Sequence, residues 1–209
     1  MRVRFAVWAA TAMVALAGCA AVPLERDKVA KIASIDTVRV EAPPIQVMTV
    51  MQAFVKSPYG YGLLPGLIAD AEGKALVSPP AIPDLGLLVA ERLRARLPQQ
   101  ASWWPKMSAP SAPVKADYVH TSRESLRIAV ERYEVAPAPL RTVFATVEVS
   151  LRDAANQPLW VQRKTFSGVV HGGEKIDLDK LAAGDPSQLG REIERAADWL
   201  VTELAASVK

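Results

Sequence analysis

The 209-residue sequence predicts an α+β domain of two layers, a mainly antiparallel sheet packed against two amphipathic helices. Three observations predict it. Thr142 to Arg152 alternates apolar and polar residues, with Val143, Ala145, Val147, Val149 and Leu151 on one side, which is the pattern of a half-buried antiparallel strand. Leu85, Val89, Leu93 and Leu97 recur at four-residue steps, and Leu189, Ile193, Ala196, Ala197, Leu200 and Leu204 at three- and four-residue steps, and that spacing puts each set on one helix face. Half of the residues are hydrophobic and there is one cysteine, so stability must come from an apolar core and not from a disulfide framework.

The elements follow in order. Ile32 to Val40 reads as a first strand, ended by Pro43-Pro44. Asp84 is placed as the N-cap of a helix that Pro98 should end. Gln99 to Lys115 is proline-rich and holds Trp103-Trp104; it reads as an irregular loop. Ser125 to Val135 alternates through Leu126, Ile128 and Val130, then shifts phase at Tyr133, as a bulge or bend would produce. Pro137-Ala138-Pro139 turns the chain into the strand Thr142–Arg152, and Asp153 to Pro158 turns it again into Leu159–Gly168. Two adjacent hairpins make a three-strand meander. Val169 to Gly184 reads as a polar loop, and Asp185-Pro186 as the start of a terminal helix, acid at the cap and proline at the first position.

The N-terminus carries a different message. Arg2 and Arg4 precede an apolar run, Phe5 to Ala17, too short to span a bilayer. Small residues and Cys19 follow, in the order of a secretory signal peptide. The tetrad Leu16-Ala17-Gly18-Cys19 resembles the lipobox of bacterial lipoproteins. That resemblance implies cleavage between Gly18 and Cys19, with a diacylglycerol and an acyl chain on Cys19. It divides the chain into a signal peptide at 1–18, a lipidated tether at 19–31 and one periplasm-facing domain at 32–209. In that family an aspartate after the cysteine marks inner-membrane retention; Ala20 and Ala21 stand here instead, which implies the outer membrane. The charged run Glu25-Arg26-Asp27-Lys28 reads as a solvated leash. Removing residues 1–18 leaves 23 basic residues against 22 acidic, a balance of +1, and no basic stripe interleaves with aromatics. Nucleic acid is therefore not an expected partner.

Ile45 to Ala71 is apolar, rich in methionine and glycine, and interrupted by Pro58 and Pro65. One reading is a buried strand or helix pair. The other is an adaptable apolar surface for a partner or an acyl chain, presented by Met48, Met51, Phe54, Tyr61 and Leu64, because methionine fits irregular shapes.

The succession of a lipobox, a first strand, GYGLLPGLIADA, LGLLVAERLRARL, LWVQRKTFSG and a terminal helix is similar to a group of small proteobacterial lipoproteins of uncharacterised function. More distantly it resembles the auxiliary lipoproteins of envelope ABC transporters. Two function classes are expected: a non-enzymatic envelope lipoprotein that binds other envelope proteins, and, as the distant resemblance implies, a lipid-handling accessory subunit of a transport system.

No constellation for catalysis is expected. His171 stands in a loop before Gly172-Gly173, with His120 as the sole other histidine and no clustered acids near it. Gly60-Tyr61-Gly62 lacks the Gly-Lys-Ser/Thr of a phosphate loop. Glu174, Asp177 and Asp179 lack the remaining ligands of a calcium loop. Neither a metal nor a dissociable cofactor is expected.

Overall fold

The computed structural model describes residues 21–47, 82–119, 121–136 and 139–208. Gly18, Cys19, Met48, Met51, Phe54, Tyr61 and Leu64 lie outside the described residues, as does His120. Among the described residues the helices are α1 (Arg26–Val29), α2 (Leu85–Gln100), α3 (Leu178–Ala182) and α4 (Ser187–Ala206). The strands are β1 (Ser34–Arg39), β2 (Gln46–Val47), β3 (Lys106–Met107), β4 (Ser125–Val135), β5 (Val143–Arg152) and β6 (Pro158–Ser167).

The sheet runs β3-β1-β4-β5-β6, with β2 also on β4. The long ladders β4–β5 and β5–β6 are antiparallel and form the expected meander. The phase shift in β4 is a register shift between Val130 and Arg132. β1 and β2 lie end to end along the other edge of β4, both parallel to it. Pro43-Pro44 separates them, as residues that interrupt a ladder do.

Residues paired directly across a sheet share a face. The register therefore sets Leu126, Leu151 and Trp160 together, then Ile128 with Val149, Val130 with Val147, and Tyr133 with Ala145 and Phe166. All of these are buried. The two long helices cover that face. α2 contributes Leu85, Val89, Leu93 and Leu97, and α4 contributes Leu189, Ile193, Ala196, Ala197, Leu200 and Leu204. These are the stripes the sequence spacing marks. Arg92 ties the helices by donating to the Glu194 carbonyl at 2.9 Å and pairing with Asp198 at 3.0 Å.

Four local expectations change. The proline-rich stretch after α2 is an edge of the sheet: Ser108, Ser111 and Val114 donate their N–H groups to the carbonyls of Ile35, Thr37 and Arg39, each at 3.0 Å. Pro110 and Pro113 cannot donate, so no long ladder forms; the Ser108 hydroxyl takes up the Thr37 N–H at 2.9 Å instead. Pro98 does not end α2, which continues to Gln100, with Ala101 donating to the Leu97 carbonyl. Proline removes one donor, on an exposed final turn where water can replace it. The polar loop 169–184 contains α3, capped by Asp177 and held by buried Ile176 and Leu181. α4 begins one residue later than expected: Asp185 accepts from the Ser187 N–H at 3.0 Å, and Pro186 takes the cap position. Hydrogen bonding from the Ser187 side chain, and then from its backbone N–H, lowers the pKa of the Asp185 carboxyl.

The segment 20–31, expected as a solvated leash, is seated on the domain from Val22 onward. Val161 of β6 donates its N–H to the Val22 carbonyl at 3.1 Å. Leu24 packs against the core and Val29 is fully buried in it. The charges remain at the surface, with Lys28 paired to Glu25 at 2.6 Å. The Arg26 guanidinium lies 5.1 Å above the half-buried Trp103 ring. Trp104, next in the chain, meets the core Trp160 edge-on at 5.7 Å.

Candidate functional site

One end of the sheet gathers the features that the core does not explain. There β4 turns into β5, and β6 ends in the loop 168–177. The two turns are joined: Gly168 donates to the Val143 carbonyl at 2.9 Å and Ile176 to the Arg141 carbonyl at 2.6 Å. Arg141 adopts a left-handed backbone, φ 46°, which a non-glycine residue holds only when its surroundings impose it. We call this end the apex.

The apex exposes Leu140, Val169 and Val170, at 43%, 48% and 77% of their surface. These are the exposed large hydrophobic side chains among the described residues, and they sit on two hydrogen-bonded turns. Val47, the last described residue before the apolar segment 48–81, pairs with Val135 at the end of β4. Sequence reasoning located the segment but missed Leu140, Val169 and Val170; the signal was apolar residues inside turns that otherwise read as polar.

Beneath the loop lies a clasp onto α4. The His171 ring stacks on Trp199 at 4.1 Å, and its Nδ1 accepts the Ser167 N–H at 3.1 Å. With Nδ1 accepting, the neutral ring carries its proton on Nε2. His171 is thus engaged on one face and at one nitrogen. Arg195 donates to the Gly172 carbonyl at 2.6 Å, and Glu174 pairs with Arg191 at 3.4 Å. Glu192 is fully buried under Gly168 and Gly173; its ion-pair partner is Arg195 Nε at 3.3 Å. Asp177, considered above as a calcium ligand, instead caps α3 with its carboxylate. Among the described residues no group of three metal-ligating side chains converges.

Asp84, just after the described chain resumes, belongs to a second, partly buried cluster. Arg39, at the end of β1, donates to Asp84 at 2.6 Å and to the Ser111 carbonyl at 2.8 Å. Asp84 also caps α2 by accepting from the Leu87 N–H at 3.0 Å, as expected. Among the described residues, the hydroxyl of Tyr133 is buried without a partner. Burial, and then the charge of Asp84, push its pKa well above the ordinary tyrosine value.

The sign of the consequence is fixed. Above about pH 10 the unfolded chain loses the tyrosine proton while the folded chain keeps it, so stability falls by about 1.4 kcal/mol per further pH unit. Tyr133→Phe removes a buried hydroxyl that bonds to none of the described residues, which is neutral or mildly stabilising near neutrality. Urea melts of both chains should give similar stabilities at about pH 8, and an advantage to the variant larger by about 1.4 kcal/mol at about pH 11. An unchanged difference would place the hydroxyl in contact with water.

No protein-family model matches the chain, and no curated protein matches it. Among solved structures it is similar to protein XCC0632 from Xanthomonas campestris, of the family DUF330, at 14% identity and TM-score 0.37, over 83% of this chain and 85% of that one. It is similar also to the PelC dodecamer from Paraburkholderia phytofirmans, at 12% identity and TM-score 0.34, over 72% of this chain and 79% of that one. Likeness at these scores falls short of a shared fold, and the dodecameric assembly is a property of PelC.

Proposed function

We propose that this chain is a lipid-anchored, non-enzymatic interaction module of the bacterial envelope, facing the periplasm from the outer membrane. The observation that carries the reading is the lipobox-like tetrad ending in Cys19, the chain's one cysteine, behind a signal-like N-terminus. The apex supports the second half of the reading. It exposes three large apolar side chains on rigidly joined turns, near Val47, the last described residue before the methionine-rich segment 48–81. Exposed apolar residues grouped in this way mark contact surfaces. The lone described histidine serves as a clasp, which gives no support to an enzyme.

Crosslinking in intact cells followed by affinity recovery tests this. Val170→Asp with Leu140→Asp should reduce partner recovery strongly, since a charge at a desolvated contact is costly. Met51→Ser with Phe54→Ser should also reduce it. His171→Ala, folded and anchored, should retain more than either. Loss of the cellular phenotype in His171→Ala alone, with the protein folded and anchored, would contradict the proposal and favour an enzyme.

A further inference from the structure

We infer that the domain stands directly on the bilayer that holds Cys19, through the surface made by α1, Trp103 and the outer edge of β6 around Val161, so that the apex points away from that bilayer. The inference rests on the lipid-anchored reading and adds the orientation and the second contact.

Chain length limits how far the domain can stand from Cys19. Three peptide steps separate Cys19 from Val22. A fully extended chain covers at most about 3.6 Å per residue, so the Cα atoms of these residues lie within about 11 Å. Val22 has no slack to give. Its carbonyl is bonded to the Val161 N–H of β6, and the chain beyond it is docked through Leu24 and fully buried Val29. A leash of a dozen residues would let the domain reach far from the membrane. This one does not, and the polar layer of one leaflet is itself about 5–7 Å thick. The surface around Val22 must therefore meet headgroups.

That surface has suitable chemistry. Arg26 stacks over half-buried Trp103, a pairing of guanidinium and indole at home where apolar and wet layers meet. Over residues 25–31 the exposed cations Arg26, Lys28 and Lys31 outnumber the exposed acids Glu25 and Asp27 by one, with Lys28 paired to Glu25 at 2.6 Å. Anionic lipid attracts such cations within a Debye length.

Orientation follows from the sheet: α1 leads into the start of β1, beside the start of β4, and Trp104, next to Trp103, meets Trp160 near the start of β6, so the contact lies at the end of the sheet opposite the apex. From Val161 to Ser167 is six residues along β6, about 20 Å at strand spacing. Val169 and Val170 lie past that end. The apex apolar residues are thereby turned away from the chain's own bilayer, toward a partner.

The test uses the full lipidated chain, whose Cys19 thiol is consumed by its thioether. Lys28→Cys, Ala30→Cys and Val170→Cys are each labelled with a thiol-reactive fluorophore, at exposed positions. The proteins are placed in phosphatidylcholine–phosphatidylglycerol vesicles containing a headgroup nitroxide quencher. Quenching at Lys28→Cys and Ala30→Cys should exceed that at Val170→Cys several-fold. Equal quenching, or greater quenching at Val170→Cys, in protein whose lipid is verified by mass would overturn the orientation and leave the anchor standing. Absence of lipid on Cys19 would remove the anchored reading and this inference together.

Discussion

Leu200→Ala is expected to lower the unfolding free energy by about 2–5 kcal/mol, the range for emptying a core leucine site. Leu200 is fully buried at the centre of the α4 stripe, between Ala196, Ala197 and Leu204. The helix covers the meander, where Phe166 approaches Trp199 at 6.0 Å. Truncation removes the leucine's transfer free energy and leaves a cavity that a sheet on one side and α2 on the other cannot close. Denaturant melts of the soluble domain measure it. A change within 0.5 kcal/mol would mean that α4 is not docked on the sheet.

Gly173→Ala is expected to cost about 1–3 kcal/mol although it adds a single methyl group. A Cβ at Gly173 would stand 2.6 Å from Glu192 Oε2 and 2.7 Å from the Gly168 Cα. The second of these is backbone, held by the Gly168 hydrogen bond to Val143 and by the Gly173 bond to Gly168. Relief requires moving the loop or displacing a buried carboxylate, and both are resisted. Gly172→Ala is the control: its Cβ would meet nothing within 4 Å, but its φ of +69° imposes a conformational cost alone. The clash argument fails if Gly173→Ala is no more damaging than Gly172→Ala in the same melts.

The parts of this fold that could be read from the sequence are those with long, regular burial. β5 alternates at every position but Phe144, because the face of Val143, Ala145, Val147, Val149 and Leu151 packs into the core beneath the helices. α4 shows its stripe for the same reason. Asp84 was legible as a cap because helix starts demand an acceptor for orphaned N–H groups. What escaped is short or depends on distant partners. β3 and the Ser108–Val114 edge are strand-like only because β1 lies beside them and serine hydroxyls replace missing donors. α1 and α3 have one turn each, and single buried residues such as Val29 and Leu181 leave no periodicity to detect. Glu192 belongs to the buried arc of α4 only because the loop 168–173 folds over it. The apex likewise depends on which turns are neighbours, which the register of β4, β5 and β6 decides.

The docking of Val22 also changes the reading of residues 20–31. A charged run beside a lipobox reads as a spacer, yet the same residues close an edge of the sheet and seat Val29 in the core. The docked part of the chain thus begins at Val22, ahead of residue 32.

The most direct test of the account is the intact mass of the full-length protein extracted from membranes of a Gram-negative host, beside that of Cys19→Ser. The account predicts a mature chain beginning at Cys19 and carrying a diacylglycerol and an acyl chain, with no lipid on the variant. A chain with a free Cys19 thiol, or one beginning at another residue, would contradict it.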